Sequence, residues 1–169
     1  TSSAGSTALG YQAGTASTGA ANVYIGSQAG LAAVAAEGNV VIGANAGSSM
    51  GDIDANILIG REAGQYLKHT NTTKNVAIGK QALRGANADS TAPTNSVAIG
   101  YQALTAITTG SANVALGMSS LLDNTTGGDN VSIGNYSSAE NITGGSNIAI
   151  GTNALNYNEN ATVSDNSCE

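Results

Sequence analysis

Apolar residues recur along the chain in one short unit. In each unit a β-branched residue, a variable residue and then Ile or Leu stand between a polar residue and a glycine. This alternation of fixed apolar and variable residues has the period of two that predicts a short β-strand. Seven units begin with asparagine, at Asn22, Asn39, Asn56, Asn75, Asn113, Asn130 and Asn147, and two begin with Ser6 and Ser96.

A glycine closes each of the nine units. These residues are Gly10, Gly26, Gly43, Gly60, Gly79, Gly100, Gly117, Gly134 and Gly151, spaced 16, 17, 17, 19, 21, 17, 17 and 17 residues apart. A glycine in this place indicates a turn that needs a positive φ or a close approach of two backbones. Units this short cannot fold alone, so the repeat predicts an all-β solenoid of about nine short coils. At a strand spacing of about 4.8 Å, the coils form a rod roughly 40 Å long.

The asparagines that open the units are predicted to stack as a ladder. Their side-chain amides can donate to and accept from backbone groups that the turns leave unpaired. We assign these asparagines and the closing glycines a structural role rather than a role in ligand binding. The repeat region is expected to span residues 1–157, with a tail or the start of a following segment at 158–169.

The variable residue in the middle of each strand is apolar in most units. If the flanking Val and Ile face the interior of the coil, this middle residue faces outward. The resulting stripe would consist of Tyr24, Val41, Leu58, Ala77, Ala98, Ala115 and Ala149. A continuous exposed apolar stripe indicates an interface, and a closed cyclic assembly would bury it and protect the open strand edges.

The unit Asn-Val-Ala-Ile-Gly-x-x-Ala-Leu resembles the left-handed β-roll repeats in the heads of bacterial trimeric autotransporter adhesins. It is also similar to the repeats of trimeric phage tail fibres, where units such as Ala98-Ile-Gly-Tyr-Gln-Ala-Leu104 occur. The resemblance covers residues 6–155, although the coils here are longer than those of the adhesin heads. It implies a left-handed β-roll and a homotrimer with intertwined or side-by-side chains. It also implies an extracellular location, on a virion tail fibre or a bacterial cell surface.

Composition narrows the classes of protein that fit. The chain is 41% hydrophobic and 9% charged, which argues against disorder, and its lack of Phe and Trp suits thin stacked layers. Its net charge of −6 argues against nucleic-acid binding. Its apolar stretches are far too short to span a membrane. The single cysteine, Cys168, excludes an intrachain disulfide, so its thiol is either free or bridged to a neighbouring chain.

Motifs for catalysis and metal binding are weak, and we expect no enzyme activity, cofactor or metal. Residues Gly47-Ser48-Ser49-Met50-Gly51 match the spacing of a nucleophile elbow, but that motif needs a strand-turn-helix context and a histidine partner. The chain shows no helical periodicity, and His69 is its single histidine. Asp52 and Asp54 lack the Gly- and Asp-rich nonapeptide of calcium-binding solenoids.

The basic residues are confined to one part of the chain. Arg61, Lys68, Lys74, Lys80 and Arg84 fall within 24 positions, and His69 joins them. The same region contains the 19-residue unit and adjoins the 21-residue unit, whose insertion covers residues 84–94. Insertions in solenoids often form a binding face. We regard these six residues as a candidate receptor contact for an anionic partner such as an acidic surface glycan; the alternative is a solvated surface that keeps fibres soluble.

Taken together, these features predict a structural fibre or adhesin segment that displays or spaces an attachment surface. Its partners would be itself, as a homotrimer, and an anionic surface glycan or receptor. Two other functions stay open. The Ile-Gly-x-x-Ala fragment resembles one hexapeptide of left-handed β-helix acyltransferases, although here it occurs once per coil. An ice-binding solenoid would need threonines at one position of successive coils, whereas the threonines of this chain are scattered.

Overall fold

A computed structural model describes residues 4–68, 73–86 and 93–156. Within these ranges the chain forms nine three-residue strands and no helix. The strands are β1 (Thr7–Leu9), β2 (Val23–Ile25), β3 (Val40–Ile42), β4 (Ile57–Ile59), β5 (Val76–Ile78), β6 (Val97–Ile99), β7 (Val114–Leu116), β8 (Val131–Ile133) and β9 (Ile148–Ile150). His69, Cys168 and the proposed tail at 158–169 lie outside the described residues.

All nine strands belong to one parallel sheet, in which spatial order equals chain order. Because neighbouring strands run the same way, each linker must carry the chain back to the level at which the previous strand began, so the nine strands enclose about eight complete turns of a solenoid. The register keeps equivalent residues together even where the units differ in length, as in Val76 beside Val97 and Ile78 beside Ile99. The prediction of an all-β repeat solenoid is confirmed. We number the coils one to nine after their strands.

The side chains of each strand point in the direction opposite to that predicted. The middle residues Tyr24, Val41 and Leu58 are buried, with 1%, 0% and 0% of their surface exposed. Ala77, Ala98, Ala115 and Ala149 are buried in the same way, so the proposed stripe is core. The flanking Val, Ile and Leu residues face outward instead. The coil is so narrow that one side chain per strand fills its interior, which leaves the flanking pair on the opposite face of the sheet.

The glycine after each strand is fixed by its surroundings. The φ angles of these nine residues lie between 127° and 137°, in a region that side-chain-bearing residues rarely adopt. Space is also lacking: a Cβ on Gly10 would lie 2.5 Å from the carbonyl oxygen of Gly26, and one on Gly60 would lie 2.5 Å from the carbonyl oxygen of Gly79. These closing glycines therefore stack directly on one another, and their column allows the strands to pair in register.

The core is a single column of small and medium side chains. In coils two to eight the third residue after the closing glycine is buried and small, as in Ala29, Ala63 and Ala103. Larger residues are shared out between layers, so that Met50 and Ile53 fill coil three. Coils seven and eight use polar groups: the Ser120 hydroxyl donates to Ser132 Oγ at 2.9 Å, and both side chains are completely buried.

Candidate functional site

The sheet exposes an almost wholly apolar outer face, formed by the first and third residues of the nine strands. Apart from Thr7, it consists of Leu9, Val23, Ile25, Val40, Ile42, Ile57, Ile59, Val76, Ile78, Val97, Ile99, Val114, Leu116, Val131, Ile133, Ile148 and Ile150. In mid-rod, Ile57 and Ile99 are each 39% exposed, although they pack against neighbours above and below. We call this surface the outer sheet face.

The outer sheet face is the most regular apolar feature of the sequence, yet it turns away from the core. Nine strands at about 4.8 Å make it roughly 40 Å long. Proteins that stay monomeric rarely expose a continuous apolar patch of more than a few hundred Å². The exposed apolar stripe expected from the sequence is therefore formed by the flanking Val and Ile residues and not by Tyr24 and its counterparts.

The unit-opening asparagines lie in one buried column beside the sheet. Both the backbone N–H and the side-chain Nδ2 of Asn39 donate to Oδ1 of Asn22, at 2.9 and 3.1 Å. The Nδ2 of Asn39 also donates to the carbonyl oxygen of Ile53 at 2.8 Å. Asn56 repeats this arrangement on Asn39, and Asn130 repeats it on Asn113. From Asn22 to Asn130, each amide thus bonds to backbone groups of its own coil and of the next coil, which is a structural role.

The two serines maintain the column where asparagine is missing. The backbone N–H of Ser96 donates to Asn75 Oδ1 at 2.9 Å, and the hydroxyl oxygen of Ser96 accepts the N–H of Asn113 at 3.2 Å. Ser6 serves Asn22 in the same way, at 3.0 Å. A hydroxyl replaces the acceptor but spans a shorter distance than an amide, so the column continues with fewer bonds at these layers.

Three of the basic residues gather at the corner that follows the strands of coils four and five. Arg61 and Lys80 occupy equivalent positions, since the N–H of Gln81 donates to the carbonyl of Arg61 at 2.9 Å. Arg61 Nε donates to Oε1 of Glu62 at 2.9 Å, and Gln81 Nε2 donates to Oε2 of the same carboxylate at 2.7 Å. The hydrogen bond from Gln81, followed by the charges of Arg61 and Arg84, lowers the pKa of Glu62.

Aromatic rings accompany two of these cations. The Lys80 ammonium lies 5.5 Å from the ring centre of Tyr101, and the Arg84 guanidinium lies 5.7 Å from that of Tyr66. Both distances are within the range of cation–π attraction. The Nε of Arg84 is buried and has no hydrogen-bond partner. Sequence inspection overlooked Tyr66, Tyr101 and Glu62; the signal available was the tyrosine at the position after Gly100.

The remaining basic residues lie elsewhere on the coils. Lys74 precedes β5, whereas Lys80 follows it, so the two stand at opposite ends of one strand. Lys68 lies in the linker of coil four, and His69 falls outside the described residues. The structure therefore brings together Arg61, Lys80 and Arg84 and separates them from Lys74.

The weaker motifs have structural explanations. Met50 of the apparent nucleophile elbow is buried in the core, and the segment forms a turn rather than a strand-turn-helix. Asp52 and Asp54 accept backbone N–H bonds from Ala35 and Glu37 in the coil below, at 2.9 and 2.7 Å. In residues 4–68, 73–86 and 93–156, no group of three or more His, Cys, Asp or Glu side chains is placed to hold a metal ion. Over the same residues, no helix has the length and apolar character needed to cross a membrane.

The fold defines the chain as a β-solenoid repeat protein. No protein-family model, curated protein or solved structure matches it.

Proposed function

We propose that the chain is a structural segment of a trimeric extracellular fibre that displays or spaces an attachment surface. The observation that supports this most strongly is the outer sheet face, where an apolar column two residues wide runs along nine coils. A solvent-facing surface of this regularity favours a role in which copies of the chain pack side by side along their whole length.

Three copies related by one rotation axis are the arrangement that the β-roll resemblance implies. Cyclic symmetry lets each outer sheet face turn toward the axis and bury its Val and Ile side chains against the other two. The coils would be left-handed, and the fibre would stand on a phage tail or a bacterial surface. A rod of this kind needs no catalytic group, and we propose no enzyme activity for it.

The second part of the proposal is attachment through the basic corner, where Arg61, Lys80 and Arg84 lie together. The chain carries a net charge of −6, and its five Lys and Arg residues all fall between positions 61 and 84. Arg61 presents 63% of its side chain to solvent. A localised positive region on an acidic rod favours contact with an anionic partner, such as an acidic surface glycan, over a general role in solubility.

Light scattering on the purified chain tests the assembly. We expect a particle of three times 16.5 kDa at micromolar concentration. Placing a charge on the outer sheet face, as in Ile99→Lys, should break this particle because the lysine would be buried between protomers. Thr126→Lys adds the same charge on an exposed linker position and should leave the particle intact. A folded monomer formed by the unaltered chain would remove the trimer from the proposal.

Assays for the two other functions complete the test. An acyltransferase assay with acyl-coenzyme A donors separates the fibre from the solenoid enzyme. A thermal-hysteresis measurement separates it from an ice-binding rod. Activity in either assay that survives purification to homogeneity would replace the structural role proposed here.

A further inference from the structure

One row of surface positions changes its character in the middle of the rod. It consists of the two residues that follow each closing glycine. In coils four to six these residues are Arg61, Glu62, Lys80, Gln81, Tyr101 and Gln102, which we call the corner strip. In coils two and three the first of the two is Ser27 or Ala44, which offers little to a partner. Tyrosine also occurs in this row in coils one and eight, but its charged residues, Arg61, Glu62 and Lys80, are confined to coils four and five, directly beside Tyr101 of coil six.

Hydrogen bonds from coil to coil hold the corner strip in place. Gln102 Nε2 donates to Gln81 Oε1 at 3.0 Å, and Gln81 Nε2 donates to Glu62 Oε2 at 2.7 Å. Arg61 Nε completes the series on Oε1 of Glu62 at 2.9 Å. Side chains that are already ordered lose less conformational entropy when a ligand binds, so the strip is prepared for recognition.

The corner strip also combines positive charge with an exposed aromatic surface. The charges of Arg61 and the nearby Arg84 act on the carboxylate of Glu62, and with Lys80 the region has three positive charges against one negative charge. The ring of Tyr101 is 42% exposed and has the Lys80 ammonium beside it. Aromatic rings pack against the C–H faces of sugars, while ammonium and guanidinium groups bind carboxylates.

We propose that the corner strip binds a linear acidic polysaccharide that lies parallel to the rod axis. Its binding positions repeat at the coil spacing of about 4.8 Å, which is close to the advance of an extended polysaccharide per sugar ring. One uronate unit then meets each of the three layers. Tyr101 packs against a sugar ring, and Lys80 and Arg61 bind carboxylates on the units below it. This inference rests on the attachment role proposed above and gives it a ligand class, a direction and a footprint of three coils.

Titration of the full chain with galacturonate oligomers, followed by calorimetry, tests this arrangement. Affinity should rise from the dimer to the trimer or tetramer and then level off, because three layers carry the contacts. Neutral malto-oligomers of the same lengths should bind far more weakly. Tyr101→Ala should reduce the affinity for the tetramer by about five-fold, the scale of one exposed cation–aromatic contact, and Lys80→Gln by a similar factor.

Matched variants separate this site from general charge effects. Tyr11→Ala removes a tyrosine from the equivalent position of coil one, and Lys68→Gln removes one positive charge away from the corner strip. Both should bind the tetramer as the unaltered chain does. Equal losses in Lys68→Gln and Lys80→Gln, unchanged binding in Tyr101→Ala, or equally tight binding of linear polyphosphate would each overturn the proposal. Light scattering on the same samples reports the oligomeric state, so a failed trimer and a failed glycan site are told apart.

Discussion

Leu58 occupies the space that a side chain on Gly64 would need. A Cβ on Gly64 would lie 2.7 Å from Cδ2 of Leu58, and one on Gly30 would collide with the ring of Tyr24 in the same coil. In the later coils the sizes are exchanged, with alanine in the strand and leucine four residues after the closing glycine. These pairs are Ala77 with Leu83, Ala98 with Leu104 and Ala115 with Leu121, all of them buried. In these coils two positions thus share one volume.

This sharing predicts strong coupling between Leu58→Ala and Gly64→Leu. The first change alone leaves a cavity and should cost about 2–5 kcal/mol. The second alone forces a leucine against Leu58 and should cost about 1–3 kcal/mol or more. The double variant rebuilds the arrangement of coil five, where Leu83 adopts φ 50° against 57° at Gly64. Chemical denaturation should therefore give a double variant about 1–3 kcal/mol more stable than the sum of the single effects; simple additivity would contradict the shared volume.

The column of closing glycines predicts a position-dependent effect of alanine. Gly117→Ala and Gly151→Ala both impose a side chain on a positive φ, at 136° and 129°. Such strain costs on the order of 1–3 kcal/mol. Only at Gly117 would the new Cβ also collide with the next coil, 2.6 Å from the carbonyl carbon of Gly134; at Gly151 its nearest described neighbour is 4.0 Å away. Thermal unfolding should show a clearly larger loss for Gly117→Ala, and equal losses would show that the stacking is not limiting.

Asn113 offers a test of the buried amide column. Its Nδ2 donates to the carbonyl of Gly127 at 2.8 Å, and its Oδ1 accepts from the backbone and side chain of Asn130. Asn113→Ala strands these partners inside the coil and should cost about 1–3 kcal/mol in the free energy of unfolding. Asn113→Ser should cost less, because Ser96 already fills an equivalent place.

Asn135→Ala is the control for this experiment, since that side chain is exposed and outside the column. Its effect on the free energy of unfolding should be small. Asn160, in the proposed tail, is a second control that lies outside the described residues. Equal destabilisation by Asn113→Ala and Asn135→Ala would show that the column contributes nothing particular to stability.

The lowered pKa of Glu62 in the corner strip predicts that the stability of the folded chain depends on pH. The hydrogen bond from Gln81 and the charge of Arg61 lower the pKa of Glu62 in the folded chain. The contribution of the ionised Glu62 carboxylate to the free energy of unfolding is therefore complete above the ordinary pKa of a glutamate, and it is lost as the pH falls through the lowered pKa. The stability difference between the unaltered chain and Glu62→Gln should shrink over that acid range. Gln81→Ala removes the hydrogen bond that lowers the pKa of Glu62 most. An NMR titration of that variant should therefore show the Glu62 pKa shifted back toward that of an ordinary glutamate.

Spacing along the sequence was sufficient to predict coils, strands and register, because equivalent residues of successive units must stack. The same spacing gave a wrong prediction of which side chains of each strand face the core. A period of two identifies the faces of a strand but not which one is inside, and here both are apolar: Val97 and Ile99 on one, Ala98 on the other. Size would have been the better guide, since only the middle position varies from alanine to Tyr24, as a core that shares volume between layers requires.

Backbone conformation and side-chain pairing were beyond sequence spacing. Leu83, Leu104 and Leu121 have φ angles of 50°, 52° and 51°, which leucine seldom adopts and which the packing of whole layers imposes. At the corner, the positions of Arg61 and Lys80 followed from the glycines they succeed. Their partners, the Glu62 carboxylate and the Tyr101 ring, could not be predicted in this way, because these contacts depend on side-chain directions that only the folded coil defines.

The hydrogen bonds that cross between coils join residues of neighbouring turns, such as Asn130 to Asn113 and Asn147 to Asn130, each pair 17 residues apart. The hydrogen bonds of a coil therefore do not depend on how many further coils lie beyond its neighbours. Excising or duplicating one such unit within the regular stretch from Gly100 to Gly151 preserves every remaining register and shifts one end by about 4.8 Å. The length of the rod is therefore a multiple of the strand spacing. Gain or loss of repeats in the coding sequence can change this length without any redesign of the fold.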